Sequence, residues 1–299
     1  MDTGFVRGVV PPIVTPVDAE ERVVEASLRQ IVDHVIAGGV HGILSLGSNG
    51  EFFGLPPEER ERALSITVDQ TGGRVPVYKG IGAIATRECI REARQGEKAK
   101  AQAVTILPPM FLSPNDDELY RHFKAVAEAT DLPVLLYNNP DRMRVGISAD
   151  LMERLADVPN IVGAKDSSGD LTLTAEFIRR TRRKGFKIMA GRDAMILGTL
   201  AYGGVGCVAS TANVVPGLVV EIYEKFLSGD LQGALEAQFR LAPLRMAYNL
   251  GSFPVVTKDY MKLLGFDVGG PIKPNLSCSE ANMARLQKIL SDLGAARLA

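Results

Sequence analysis

Ile161-Val162-Gly163-Ala164-Lys165 is followed at once by Asp166-Ser167-Ser168-Gly169 and then by an amphipathic stretch over 171–183, so a strand, a polar turn and a helix stand in immediate succession. On a strand alternate residues share a face, so Ile161, Gly163 and Lys165 are expected to point one way, with Gly163 leaving room beside the lysine stem. Burying an ammonium among apolar neighbours disfavours its charged form, and the neutral amine is what attacks a carbonyl to form a Schiff base. A lysine at a strand end can equally reach solvent, so this unit alone does not decide between the two.

Working outward, the same unit recurs along the chain. Short apolar or β-branched runs fall at 9–14, 41–46, 75–78, 103–107, 133–137, 161–165, 187–190 and 205–209. Helical patterns lie between them at 25–37, 57–70, 86–100, 116–130, 171–183 and 216–227. Strict alternation implies a parallel sheet with crossover helices, and eight such strands close a barrel. The expected fold is therefore α/β, a (β/α)8 TIM barrel. An open doubly wound sheet would carry a G-x-G-x-x-G turn after its first strand, whereas this strand runs into Pro11-Pro12 and Thr15-Pro16. Three further helical patterns follow at 231–250, 254–264 and 279–293. The division expected is a catalytic barrel over 1–229 and a C-terminal three-helix extension over 230–299, packed on the barrel.

Composition narrows the partners. Of 299 residues, 46% are hydrophobic, and 34 basic against 35 acidic side chains give a formal charge of -1. With no basic stripe, neither nucleic acid nor an anionic membrane is an expected partner, and a small molecule is. Cys89, Cys207 and Cys278 form no C-x-x-C pair, and His34, His41 and His122 show no ligand spacing, so no metal site is expected. The start Met1-Asp2-Thr3-Gly4 lacks the features of a signal peptide, and no apolar stretch reaches roughly 18 residues, so a cytoplasmic chain is expected.

In such a barrel the carboxyl ends of the strands meet at one mouth, where Lys165, Tyr137 and Gly47-Ser48-Asn49-Gly50-Glu51 are expected to converge. The glycines Gly47 and Gly50 free the backbone to aim N–H groups at an anion, with Ser48 and Asn49 adding side-chain donors. A Gly/Asn-rich segment is also an ordinary turn. Tyr137 shares a face with Leu135, so its hydroxyl can reach the mouth and relay protons, although a buried tyrosine is as readily a core residue. Arg142 in the following loop can grip a carboxylate with its planar fork or simply be solvated, and Arg144 has a weaker case. The glycines Gly203, Gly204 and Gly206 precede the eighth strand's mouth end, which disfavours a phosphate-binding barrel.

Gly47-Ser48-Asn49-Gly50-Glu51, Tyr137-Asn138-Asn139-Pro140 and the strand ending in Lys165-Asp166 resemble the dihydrodipicolinate synthase and N-acetylneuraminate lyase family of pyruvate-dependent class I aldolases. Thr15-Pro16 and Thr211-Ala212-Asn213 extend the likeness over nearly the whole chain. The resemblance implies that Lys165 forms the imine with pyruvate, that Tyr137 and Ser48 carry protons, and that the glycine loop binds the pyruvate carboxylate. It further implies substrate contacts at Gly47, Asn49, Gly50, Arg142, Ser167, Gly191 and the carbonyl of Val208. No cofactor beyond that imine is implied, and the assembly implied is a homotetramer, a dimer of dimers.

On the second substrate the resemblance divides. Arg142 matches the arginine that in dihydrodipicolinate synthases holds the carboxylate of aspartate semialdehyde. Phe111 stands where those synthases carry a tyrosine reaching into the neighbouring subunit, and has no hydroxyl to pass a proton. Asn49 replaces the usual second threonine, and Ser167 puts a hydroxyl where aldolases of hydroxylated substrates often carry one. These three favour a 4-hydroxy-2-oxo acid aldolase, acting on 4-hydroxy-2-oxoglutarate or a 2-keto-3-deoxy sugar acid. Ala194 argues against a sialic acid lyase, and Ile84 and Met110 argue against feedback inhibition by lysine. A non-catalytic keto-acid-binding barrel is the reading from another class, and retention of both Lys165 and Tyr137 speaks against it.

Overall fold

The computed structural model describes residues 1–295. The final four residues of the expected extension, 296–299, lie outside the described residues. Eight parallel strands run as β1 (Gly8–Val9), β2 (Ile43–Ser45), β3 (Val77–Ile81), β4 (Ala103–Ile106), β5 (Val134–Asn138), β6 (Ile161–Asp166), β7 (Lys187–Ala190) and β8 (Gly206–Cys207). From β2 to β8 each strand pairs with its sequence neighbour, and β1 pairs with β8. A parallel bridge between Pro12 and Leu44 joins the first strand's extension to β2 and closes the ring. The fold is the expected TIM barrel with helices around it and the C-terminal helices present.

β1 is shorter than its sequence suggests, because Pro11 and Pro12 offer no N–H to the ladder. The chain nevertheless stays extended there, with Leu44 donating to the Pro11 carbonyl at 2.9 Å and Ile13 to that of Leu44 at 3.0 Å.

Inside the barrel, Val10, Leu44, Tyr78, Ala103, Leu135, Met189 and Val208 form one apolar cluster, with Val162 packed against it. Each of the larger side chains contributes about 1.5–3 kcal/mol by leaving water, and together they plug the barrel below its mouth. Leu135 facing inward places Tyr137, two residues on, over that plug.

β6 departs from simple alternation. Val134 pairs with Ile161 but Leu135 pairs with Gly163, so Val162 is an extra residue in a bulge. Ile161 consequently joins the outer cluster together with Ala164, instead of sharing a face with Lys165. Gly163 is needed elsewhere too: a Cβ there would lie 2.3 Å from the Lys187 carbonyl oxygen, so it permits close approach of β7, not room for the lysine stem.

The C-terminal helices Leu231–Met246, Val255–Leu263 and Glu280–Asp292 return to the mouth. The first packs along helix Pro216–Leu227. Among the described residues, no helix is long and apolar enough to cross a membrane.

Candidate active site

Tyr137 and Lys165 are direct partners in the β5–β6 register, the last inward-facing residues of their strands. The Lys165 amine lies 3.9 Å from the centroid of the Tyr137 ring. Both are buried, and no carboxylate among the described residues lies within ion-pair distance of Lys165. The adjacent Asp166 faces the other way. It accepts from Asn138 Nδ2 at 2.8 Å, from Ser168 N and Oγ at 3.1 and 3.0 Å, and from the Thr174 hydroxyl. With four donors, Asp166 fixes the loop after β6 and leaves the lysine without a counter-ion.

Burial alone would raise the Tyr137 pKa, but the Lys165 charge, with hydrogen bonding from Ser48, Lys165 and Ser167, outweighs it and brings the phenol below its ordinary value. Asn139 Nδ2 donates to the phenol oxygen at 3.0 Å and fixes the ring's tilt. The Ser167 hydroxyl is buried in the same group and makes no well-aligned hydrogen bond to protein.

A cavity of about 300 Å³ opens above these groups. Of the residues singled out in the sequence, Lys165, Tyr137, Asn49, Arg142, Ser167 and Gly191 line it. Gly47 and Ser48 instead line a chamber of about 10 Å³ shared with Tyr137 and Thr105, room for roughly one water. Ser48 and Asn49 begin a 3-10 turn, Ser48–Gly50, and their N–H groups are left without a backbone acceptor. Gly50 and the Val208 side chain reach neither cavity. Gly50 packs against the first strand, where a Cβ would stand 3.0 Å from the Thr15 hydroxyl, and the Val208 side chain belongs to the barrel plug. At Gly191 a Cβ would lie 2.1 Å from Ser167 Oγ, so glycine there preserves the serine's position. Arg142 is exposed at the rim, its guanidinium 4.4 Å above the Phe253 ring. Arg144 is exposed as well and ends the short helix Pro140–Met143 in a left-handed conformation.

The Asn49 side chain, expected as a donor to the ligand, is engaged by protein groups. Its amide donates to Ser210 Oγ at 2.8 Å and accepts from Thr257 Oγ1 at 2.8 Å, tying the glycine loop to the loop after β8 and to the C-terminal helices. Glu51 makes the same junction: Lys258 Nζ sits 2.5 Å from Glu51 Oε2, and Ile272 N donates to Glu51 Oε1 at 2.9 Å.

Sequence reasoning passed over several lining residues. Arg192 donates to the Ser167 carbonyl at 2.9 Å and pairs with Asp141, bridging the loops after β5, β6 and β7. Its signal lay next to Gly191, in Ala190-Gly191-Arg192-Asp193. Arg245, Tyr248 and Phe253 had no local signal, since the helices carrying them follow the barrel in sequence.

The pattern of the Dihydrodipicolinate synthetase family matches residues 5–293. The chain belongs to that family. A 4-hydroxy-tetrahydrodipicolinate synthase of Methanoculleus marisnigri is 37% identical over 290 residues, covering 96% of this chain and 99% of the relative. Among solved structures, dihydrodipicolinate synthase from Thermotoga maritima superposes with a TM-score of 0.94 at 30% identity, covering 97% of this chain and 99% of that one. A prophage protein from E. coli K12, of the dihydrodipicolinic acid synthase family and solved in complex with pyruvate, superposes at 0.93 with 28% identity and covers 97% and 99% of the two chains. The Dihydrodipicolinate synthetase family comprises class I, Schiff-base, pyruvate-dependent lyases and synthases, and this chain is an enzyme of that class.

Proposed function

We propose that this enzyme joins pyruvate reversibly to an aldehyde to give a 4-hydroxy-2-oxo acid, with 4-hydroxy-2-oxoglutarate or a 2-keto-3-deoxy sugar acid as the class of substrate. The observation that carries the substrate reading is Ser167, a buried hydroxyl without an aligned protein partner, two residues beyond the lysine and lining the cavity. A buried hydroxyl is satisfied at low cost when a substrate hydroxyl meets it.

The Lys165 amine, once it has given up its proton, attacks the keto carbon of pyruvate, water leaves, and a protonated imine results. That cation draws electrons from C3, so a C3 proton departs and an enamine forms. The enamine carbon bonds to the aldehyde carbon, whose oxygen takes up a proton. Water then hydrolyses the imine and frees the lysine. Tyr137, with its lowered pKa, passes these protons with Ser48, while the free N–H groups of Ser48 and Asn49 receive the carboxylate. Gly47 and Gly50 shape that turn, Gly191 preserves Ser167, and the Val208 carbonyl accepts no backbone hydrogen bond among the described residues and is assigned to the imine. The chemistry calls for no cofactor beyond the covalent imine.

A second reading, 4-hydroxy-tetrahydrodipicolinate synthase acting on aspartate semialdehyde, is favoured by the relatives that carry this name and by Arg142 at the rim. Phe111 weighs against it. It is 92% exposed with φ of +69°, an apolar side chain held outward in a left-handed conformation. The family resemblance implies a homotetramer, and there an outward-held Phe111 offers a second copy an apolar surface but no hydroxyl to relay a proton. The same reading keeps 1–229 as the catalytic barrel and 230–299 as its extension, and places the enzyme, with three unpaired cysteines, in the cytoplasm.

Borohydride reduction with pyruvate is expected to add a pyruvate-derived mass to the peptide holding Lys165, and a label elsewhere removes the mechanism. Side-by-side assays of aldol cleavage of 4-hydroxy-2-oxoglutarate and 2-keto-3-deoxygluconate against condensation with aspartate semialdehyde then decide the substrate. Turnover of the semialdehyde alone would overturn the weight given to Ser167 and Phe111.

A further inference from the structure

The cavity holds more positive charge than pyruvate and one rim carboxylate require. Lys165, Arg142, Arg192 and Arg245 all line it. Arg192 is neutralised by Asp141. The one acidic lining residue, Asp193, is committed to backbone: its carboxylate accepts from Thr211 N at 2.7 Å and Ser210 N at 3.3 Å. Arg142 and Arg245 have no acidic partner within 4.0 Å among the described residues.

Arg245 is the less expected of the two. It ends helix Leu231–Met246, is half-buried, and its guanidinium lies 5.4 Å from the centroid of the Tyr248 ring. Stacking on an aromatic face leaves the edge of a planar guanidinium free to donate in-plane hydrogen bonds. Tyr248, three residues on in the 3-10 turn Ala247–Leu250 that follows the helix, supplies the backing ring, and its hydroxyl is itself buried without an aligned hydrogen-bond partner. The ring is fixed from behind by Tyr260, with centroids 6.1 Å apart. Burial raises the Tyr248 pKa, so the group stays protonated and able to donate. A fork of N–H groups without an acidic partner, backed by an aromatic ring on the wall of the cavity, is chemistry for an anionic oxygen cluster.

We propose that Arg245 and Tyr248 form a second anion subsite on the wall supplied by the C-terminal helices, so that the aldehyde joined to pyruvate carries a carboxylate or phosphate at its far end. This rests on the pyruvate-aldolase reading above and adds the charge class of the second substrate. Arg245 acts there as a specificity-determining residue, remote from bond making.

The test uses the full chain and three aldehydes with pyruvate: succinic semialdehyde for carboxylate, glyceraldehyde 3-phosphate for phosphate, and glyceraldehyde as the neutral control. The unaltered enzyme is expected to prefer at least one anionic aldehyde. In Arg245→Met the ratio of kcat/KM for that aldehyde over glyceraldehyde falls about tenfold or more, through the aldehyde KM with kcat little changed. Arg245→Lys, which keeps the charge without the fork, recovers part of the ratio, and Tyr248→Leu, which removes the backing ring, lowers it by a smaller factor. The aldehyde whose ratio falls identifies carboxylate or phosphate. An unchanged ratio for both, an equal fall for all three aldehydes, or an unaltered enzyme that turns over glyceraldehyde alone overturns the proposal. Failure of the aldolase reading itself shows separately, as absence of borohydride-trapped pyruvate on Lys165 in the unaltered enzyme.

Discussion

Lys165 at the barrel mouth and Lys258 at the seam between the glycine loop and the C-terminal helices are equally buried, 3% and 2% exposed. Their surroundings differ in one respect. Lys258 has Glu51 at 2.5 Å and the Gly270 carbonyl at 3.0 Å, whereas Lys165 has an aromatic face and hydroxyls but no carboxylate. Burial draws the Lys258 pKa below the ordinary lysine value, and Glu51 works against that shift. The third buried lysine, Lys79, resembles Lys258, with Glu92 at 2.7 Å. Burial by itself therefore does not single out the amine proposed as the nucleophile; burial without a counter-ion does. A paired ammonium is held in its charged form and tied to one position, which is useful for joining two parts of a fold and useless for attacking a carbonyl.

Replacing each lysine by methionine should separate the two kinds. Lys165→Met is expected to abolish pyruvate trapping and lower kcat by about 10⁴-fold or more, while unfolding free energy in urea changes by less than about 1 kcal/mol. In that variant the Tyr137 phenol loses the charge that holds its pKa down, so tyrosinate absorbance should show it titrating at higher pH. A large loss of stability would mean that Lys165 is structural after all. Lys258→Met is expected to do the reverse: about 3–5 kcal/mol of stability lost, because the Glu51 charge is left buried and alone. Adding Glu51→Leu to it should restore much of that loss, and additive losses in the double variant would break the comparison.

His122 supplies a smaller, pH-dependent test of the same rule. It is a buried base without a carboxylate, bonded through Nδ1 to the Thr86 hydroxyl at 2.9 Å, and burial brings its pKa down from 6.5 to about 4. Between those values the unfolded chain binds a proton that the folded chain does not, so stability is full above pH 6.5 and falls as pH drops through 4. The loss expected is on the order of 3 kcal/mol, and His122→Asn should flatten that part of the urea-unfolding profile against pH. A profile that stays equally steep in the variant would place the titrating base elsewhere.

The barrel was legible from the sequence because alternation of strand and helix is a local property, carried by apolar period and turn residues in each unit. Lys165, Tyr137 and the glycine loop were legible for the same reason: each ends an apolar strand, and a parallel barrel brings all strand ends to one mouth. The bulge at Val162 was not, since nothing in Ile161-Val162-Gly163 distinguishes a bulged strand from a regular one until β5 is paired beside it. Nor was the commitment of the Asn49 side chain to Ser210 and Thr257, 161 and 208 residues away, which leaves its backbone N–H as the group free for a ligand. What the sequence determined alone was the architecture and the strand-end position of the proposed nucleophile, both products of short-range pattern. Which buried lysine kept a counter-ion, and which arginines closed the cavity from the C-terminal helices, was decided only by tertiary packing, because charge pairing depends on distances in space that residue order does not encode.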